Sequence, residues 1–348
     1  MERTRLFGWI LMVSSASCLA AGPAQPPGVT SLTNPKLKYE EPAVRQIEMK
    51  RGPVSITVVD NAAVPPVHRA GYNGIASLTH EARKKSLFVP AYAGLNLELI
   101  HDGTHVPRDR MMEPRRAPMR LRKIDSHTVE LHQPPTPTWA LESCTRFRML
   151  PDGAVEMTFE CIPRKVVFKQ GYIGLFWASY IDKPESKAIH FIGRPREAKT
   201  DAKPGWIEAI TPKHGVDSTH VSVLDRRDLR PSDDFPMNYM AFSYSKHVYS
   251  EPYYYGLSHG MAMAFVFRKK DLIRFSQSPS GGGAGNPAWD FQYMISDYRV
   301  DRAYGFVMRM VYVPFKDRRG LNEICRRHLG ELEGTGARTG GDTAVGRP

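Results

Sequence analysis

The chain has 348 residues, 41% of them hydrophobic and 10% aromatic, and its 48 Lys and Arg outweigh 36 Asp and Glu to give a net charge of +12. That apolar share excludes a disordered polymer and is enough for a substantial core, in one large β domain or two ordinary ones. The basic excess narrows macromolecular partners to polyanions: nucleic acid, anionic lipid or acidic polysaccharide.

Taken in order, the chain begins with Arg3 and Arg5 ahead of an apolar run, residues 6–13, that passes through small residues to Cys18, Leu19, Ala20 and Ala21. This pattern predicts a secretory signal peptide over residues 1–24, with lipid attachment at Cys18 as its alternative fate. It is too short for a membrane span. A secreted or periplasmic location follows, and with it a saccharide partner, acidic in the alternative reading, rather than nucleic acid. Residues 25–45, rich in Pro and polar groups, read as a linker.

From Gln46 onward, short runs of β-branched, aromatic and aliphatic residues recur about every ten positions with turn residues between them. Examples are QIEMKRGPVSITVVD, NGIASLTH, LNLELIH, YIGLFWASYI, NYMAFSYS, PYYYG and AWDFQYMISDYRV. This rhythm predicts an all-β fold of antiparallel sheets packed on sheets. Pro151-Asp152-Gly153 marks a hairpin. The register that pairs Phe147 with Met157, Arg148 with Glu156 and Met149 with Val155 sends Cys144 and Cys161 to opposite faces, so no disulfide is expected. Leu321, Ile324, Cys325, Leu329 and Leu332 form one stripe of a helix from about Arg319 to Leu332. The single domain thus spans 46–332, and 333–348 reads as a disordered tail.

The stretch Ser278 to Tyr293 turns a glycine-rich loop directly into a strand on which Trp289, Phe291 and Tyr293 alternate with Asp290 and Gln292. Rings on one face and hydrogen-bonding groups on the other suit a sugar. On LNLELIH, Asn96 and Glu98 share a face and His101 ends the strand. Trp177 and Tyr180 offer stacking rings, as do the tyrosines of EPYYYGLSHG, where Tyr254 and His259 are candidates. His214 and His220 flank a turn and, as histidines, can serve as general acid or base. Six residues apart, they fit no helical metal spacing, and no zinc set completes them; no metal and no cofactor is expected. The basic run Arg108 to Lys123 lacks the aromatic interleaving of a nucleic-acid site. P-loop, GxGxxG, GxSxG and HExxH motifs are absent.

The run GIASLTHEARKKSLFVPAYAGLNLELIHDG, Gly74 to Gly103, with the β-rich remainder to about residue 315, resembles the galactose-mutarotase-like group of sugar-active proteins. The resemblance implies a large antiparallel β-supersandwich with one C-terminal helix, binding a saccharide on its concave sheet face. Aldose epimerases of that group pair a histidine acid with a late glutamate base; here the late acid is Asp290, in a different local sequence. The implied chemistry is proton transfer at a sugar carbon or ring oxygen, with His214 or His220 as acid and Glu98 or Asp290 as base. Trp177 and Trp289 would be stacking platforms, and Asn96, His101, Tyr254, His259 and Gln292 ligand contacts. Other families of that fold cleave or merely bind polysaccharides. The alternatives are therefore a non-catalytic module that grips acidic glycans through Arg115, Arg116 and Arg120, and a purely structural envelope protein.

Overall fold

The computed structural model describes residues 28–199 and 201–334; the expected signal peptide, Cys18 and most of the tail lie outside the described residues. Three strands come first, β1 (Gln46–Arg51), β2 (Val54–Val59) and β3 (Gly74–His80), and pair in that order as a small antiparallel sheet. The others are β4 (Asn96–His101), β5 (Arg120–Asp125), β6 (Thr128–Gln133), β7 (Leu141–Met149), β8 (Val155–Pro163), β9 (Tyr172–Ala178), β10 (Ile189–Pro195), β11 (Gly205–Ala209), β12 (Thr219–Ser222), β13 (Tyr244–Ser258), β14 (Met261–Phe267), β15 (Arg274–Ser278), β16 (Ala288–Ser296) and β17 (Tyr304–Pro314). They make one 14-stranded sheet along the path β4-β9-β16-β15-β12-β13-β14-β17-β8-β7-β6-β5, with β10 joined to β13 and β11 to β10. Among these pairings only β12 with β13 is parallel.

The long sheet curls so that its two halves face each other. Trp177 of β9 meets Phe159 of β8 at 4.9 Å and Phe306 of β17 at 5.2 Å between ring centroids, although many strands separate them along the sheet. Sheet packed on sheet around these rings is the main core. A second cluster lies under the closing helix, where Leu321, Cys325 and Leu329 cover Tyr253, Ala262 and Ala264 of β13 and β14. The hairpin register is Phe147 opposite Met157 and Met149 opposite Val155, with Cys144 opposite Glu160 and Ser143 opposite Cys161. Cys144 and Cys161 therefore point to opposite faces, and both are buried free thiols, as is Cys325.

Three α-helices, α1 (Arg108–Met111), α2 (Asn238–Ala241) and α3 (Arg318–Leu332), and 3-10 turns at Glu113–Arg115 and Lys269–Asp271 complete the described residues. The run NYMAFSYS, expected as one strand, instead begins with α2. Its carbonyls explain the turn, because the Ser218 hydroxyl donates to Tyr239 O at 3.1 Å and that of Thr219 to Met240 O at 3.0 Å, drawing the segment over the sheet face.

Residues 28–45, read as a linker, contain no helix and only an isolated bridge between Glu40 and Lys123. Their first residues lie against the sheet. Val29 N–H, Thr30 N–H and the Thr30 and Thr33 hydroxyls all donate to the Glu160 carboxyl, while Ser31 donates through its N–H and hydroxyl to Glu130. Both acids are fully buried.

Candidate functional site

Alternation along β16 decides what the sheet shows to either side. Trp289, Phe291 and Tyr293 point inward: Phe291 stacks on Trp177 at 5.2 Å, and Trp289 fills the space over Gly256, where a Cβ would come within 2.3 Å of the indole. The other parity, Asp290 and Gln292, faces outward with Ser276 and Arg274 of β15, which lie directly opposite in register. On β4 a bulge between Leu97 and Leu99 accommodates Glu98 as the extra residue.

Over this outer face opens a cavity of about 390 Å³ onto which Glu98, Asp290, Tyr180, Tyr239, His214 and Ser280 converge. Arg108 stands at its edge, exposed. Asp290 Oδ1 accepts the Ser179 N–H at 3.0 Å, leaving Oδ2 without a protein partner. Burial pushes this carboxyl well above the usual carboxylate range, against the Ser179 hydrogen bond and with the charge of Glu98 adding to the rise. Tyr254, from the core side, fixes the same residue by donating its hydroxyl to Asp290 O at 2.8 Å.

Glu98 is held differently. Arg115 Nη1 reaches its Oε1 at 3.0 Å, and that guanidinium lies 4.0 Å over the Tyr72 ring while its Nε donates to Gly71 O. Tyr180 sits between the two acids. Burial raises its phenol well above the ordinary value, helped by Glu98, and Tyr72 and Tyr92 hold the ring edge-on at 5.5 and 5.3 Å. At the mouth, His214 Nε2 is 3.1 Å from Ser280 Oγ, and its ring stands perpendicular to that of Tyr239. Gly281 keeps the wall low: a Cβ there would lie 2.8 Å from that of Ala288 and 3.1 Å from the Tyr180 ring.

Of the acid and base candidates, Glu98, Asp290 and His214 come together; His220 does not. It alternates with Thr219 on β12, so when Thr219 turns toward α2 His220 faces the core, 4.8 Å from the Phe191 ring. Burial pushes its imidazole down to about 3, with the charges of His247 and Arg196 adding, which removes it as a neutral-pH acid. His101 is equally enclosed, with both ring nitrogens unpartnered and Gly174 directly above; burial, then Arg274, pushes it down to about 3.

The expected stacking platforms Trp177 and Trp289 are both 0% exposed, so neither can meet a sugar. Tyr254 is core as well. Asn96 is a strut whose Oδ1 accepts the Asn73 N–H at 3.0 Å, and the Gln292 amide is engaged by Ser276 Oγ at 2.6 Å and Met240 O at 3.4 Å. His259 lies on the exposed β13–β14 turn, bonded to Ser258 Oγ and Glu185, and does not line the cavity. Arg115 is committed to Glu98, which removes it from a basic glycan-gripping surface. Rings that do face the cavity are Tyr180 and Tyr239, the second of which lay inside a run read as strand. Among the described residues no group of His, Cys, Asp and Glu is placed to hold a metal ion.

No family model matches the chain, and no curated protein matches it. Its structure is similar to those of aldose 1-epimerase homologues. A putative aldose 1-epimerase from Escherichia coli K12 aligns over 78% of this chain and 99% of its own, with a TM-score of 0.42 and 10% identity. A GalM/aldose epimerase homologue from C. elegans aligns over 80% and 100%, with a TM-score of 0.45 and 9% identity. An alpha-N-acetylgalactosaminidase from Bifidobacterium bifidum aligns over 82% of this chain but only 39% of its own, at 0.39 and 10%. The fold class rests on the strands themselves: a large, mostly antiparallel β-sandwich with one C-terminal helix. No helix among the described residues is long and apolar enough to cross a membrane.

Proposed function

We propose that this is a carbohydrate-active protein that binds a saccharide in the Glu98–Asp290 cavity and moves protons on it. The observation that carries the reading is the pair of carboxyls in one open cavity with opposite surroundings: Glu98 salt-bridged to Arg115, Asp290 buried and pushed well above the usual carboxylate range by that burial. Such a pair supplies a base and an acid at the same pH. The exposed Tyr239 ring offers apolar surface for the CH face of a sugar, and Ser280 and His214 offer hydrogen bonds to its hydroxyls.

The reaction the pair supports is epimerase-like. Asp290 gives its proton to the ring oxygen while Glu98 takes the proton of the anomeric hydroxyl; the bond between the anomeric carbon and the ring oxygen breaks and a carbonyl forms. Rotation of that carbonyl and the reverse transfers close the ring with the other configuration, and no proton is gained or lost overall. His214, hydrogen-bonded at the mouth, contacts the ligand rather than replacing either acid.

The test is a thermal-shift and turnover screen against neutral and acidic mono- and oligosaccharides, because a ligand that binds only the folded state raises the melting temperature by mass action. A shift in the native protein that is lost in Glu98→Gln, with turnover lost in Asp290→Asn, is the expected result. Unchanged binding and turnover in Asp290→Asn and His214→Ala would overturn the reading.

A further inference from the structure

A second cavity, of about 590 Å³, opens on the same sheet face beyond α2. At its base is Arg274 of β15, which is 2% exposed and whose Nε and Nη1 make no hydrogen bond to the described residues. Nε and Nη1 are buried without a partner, and the closest carboxylate oxygen, Asp225 Oδ2, lies 3.9 Å from Nε, beyond hydrogen-bond reach. Asp225 is already satisfied by Arg227, through Nε at 2.9 Å and Nη2 at 2.8 Å. Arg230 is likewise paired with Asp228 at 2.8 Å. Asp233 also lines the cavity, without a described ion pair to any of these arginines.

Two guanidiniums are left without a carboxylate hydrogen-bonded to them among the described residues, Arg274 having only its 3.9 Å ion pair with Asp225. Arg274 lies 5.4 Å from the Phe242 and Tyr244 rings, and Arg196, across the cavity, lies 5.4 Å from the Tyr244 ring and uses only its Nε, on Ser245 O. Buried guanidinium N–H groups without hydrogen bonds are costly to maintain, and an oxyanion that accepts from two of them at once, a carboxylate or sulfate, is the group that matches the guanidinium fork. Arg274 and Ser278 are four residues apart on one strand face, and Ser278 lines the Glu98–Asp290 cavity. About 13 Å of strand thus separates the two cavities, a spacing suited to an oligosaccharide rather than a single ring.

We propose that the Arg274 cavity is an oxyanion subsite, taking the carboxylate or sulfate group of an acidic oligosaccharide whose reacting residue occupies the Glu98–Asp290 cavity. This rests on the saccharide reading given above and specifies its substrate class. Arg274 and Arg196 bind the anion between them, and the Tyr244 ring fixes the orientation of both.

The experiment compares trigalacturonate, maltotriose and inorganic sulfate by thermal shift and calorimetry with native protein, Arg274→Met and Arg196→Met. Trigalacturonate is expected to bind the native protein about 10- to 100-fold more tightly than maltotriose, the range set by charge-assisted hydrogen bonds. Arg274→Met should lose that preference while keeping maltotriose binding, and its ligand-free melting temperature should not fall, because the substitution removes buried N–H groups that have no hydrogen-bond partner while Asp225 keeps Arg227. Arg196 is exposed, so Arg196→Met folds regardless and should lose several-fold of the preference. Equal affinity of the native protein for both sugars, retention of the preference in both variants, or a response to sulfate with none to trigalacturonate would overturn the subsite. Weaker binding of both sugars in Glu98→Gln, with trigalacturonate still the tighter, supports the first cavity independently; failure of every saccharide to bind the native protein removes the saccharide reading itself.

Discussion

His220 gives the sharpest physical test of how this sheet is arranged. Its ring is enclosed, Nδ1 has no partner, and Nε2 meets only the Gln277 amide at 3.1 Å. Burial, then the charges of His247 and Arg196, pushes it from 6.5 down to about 3. The unfolded chain therefore takes up this proton near pH 6.5 and the folded chain only near 3. The stability involved is complete above pH 6.5 and is lost progressively as pH falls between the two values, at about 1.4 kcal/mol per pH unit. At pH 5 the loss from His220 alone is about 2 kcal/mol. The substitution His220→Phe keeps a planar ring against Phe191 and removes the titration. Urea unfolding at pH 7 and pH 5 should show the variant losing about 2 kcal/mol less than the native protein across that interval. Any cost of leaving the Gln277 amide unpaired appears at both pH values and cancels in the difference. His101, at about 3, and His328, at about 4, keep their own dependence, so the variant is not flat. An identical acid loss in both proteins would refute the burial argument, and loss of saccharide binding in the variant would return His220 to the site.

Asp290→Asn replaces a carboxyl whose charged form burial disfavours with a neutral isostere, so the melting temperature at pH 7 should stay within a few degrees of native while turnover disappears; a collapse in stability would refute the burial argument. Gly256→Ala forces a methyl to within 2.3 Å of the Trp289 ring and should cost about 1–3 kcal/mol in urea unfolding, with no change in m-value. Arg115→Met leaves Glu98 buried without its cation and should destabilise by about 3–5 kcal/mol, a loss that Glu98→Gln in the same chain relieves in a double-mutant cycle.

Much of the fold follows from local chemistry. Pro151-Asp152-Gly153 and the charge pair Arg148 and Glu156 were enough to set the β7–β8 register, and the spacing of Leu321, Cys325 and Leu329 was enough to place α3. On β16 the period of two separated the rings from Asp290 correctly. What it could not assign was which rings a ligand can reach, because β9 and β16 are covered on both faces and Trp177 looks no different from a platform until Phe159, Phe291 and Phe306 surround it. The same holds for His220 against Thr219: both are buried, and only α2, folded over from residues 238–241, decides the parity. That helix was missed because its stabilising hydroxyls, Ser218 and Thr219, lie some twenty residues earlier. β11 (Gly205–Ala209) was also missed, since GWIEA gains its strand character only by pairing with β10. Arg274 opens β15, and nothing local distinguishes an arginine at a wet edge from one at the base of a cavity beside the Phe242 and Tyr244 rings.

The boundary of the folded unit lies upstream of the first strand. Glu160 is 0% exposed and no arginine or lysine among the described residues forms an ion pair with it; its oxygens accept from Val29, Thr30 and Thr33. A protein trimmed to begin at Gln46 would keep every strand and yet strand that acid in the sheet with no donor, at a cost of about 1–3 kcal/mol or more for the lost hydrogen bonds alone. Three residues without regular structure thus serve as a solvent shell made of peptide, and a protease that cut after Thr33 would act on the stability of β8 from outside the sheet.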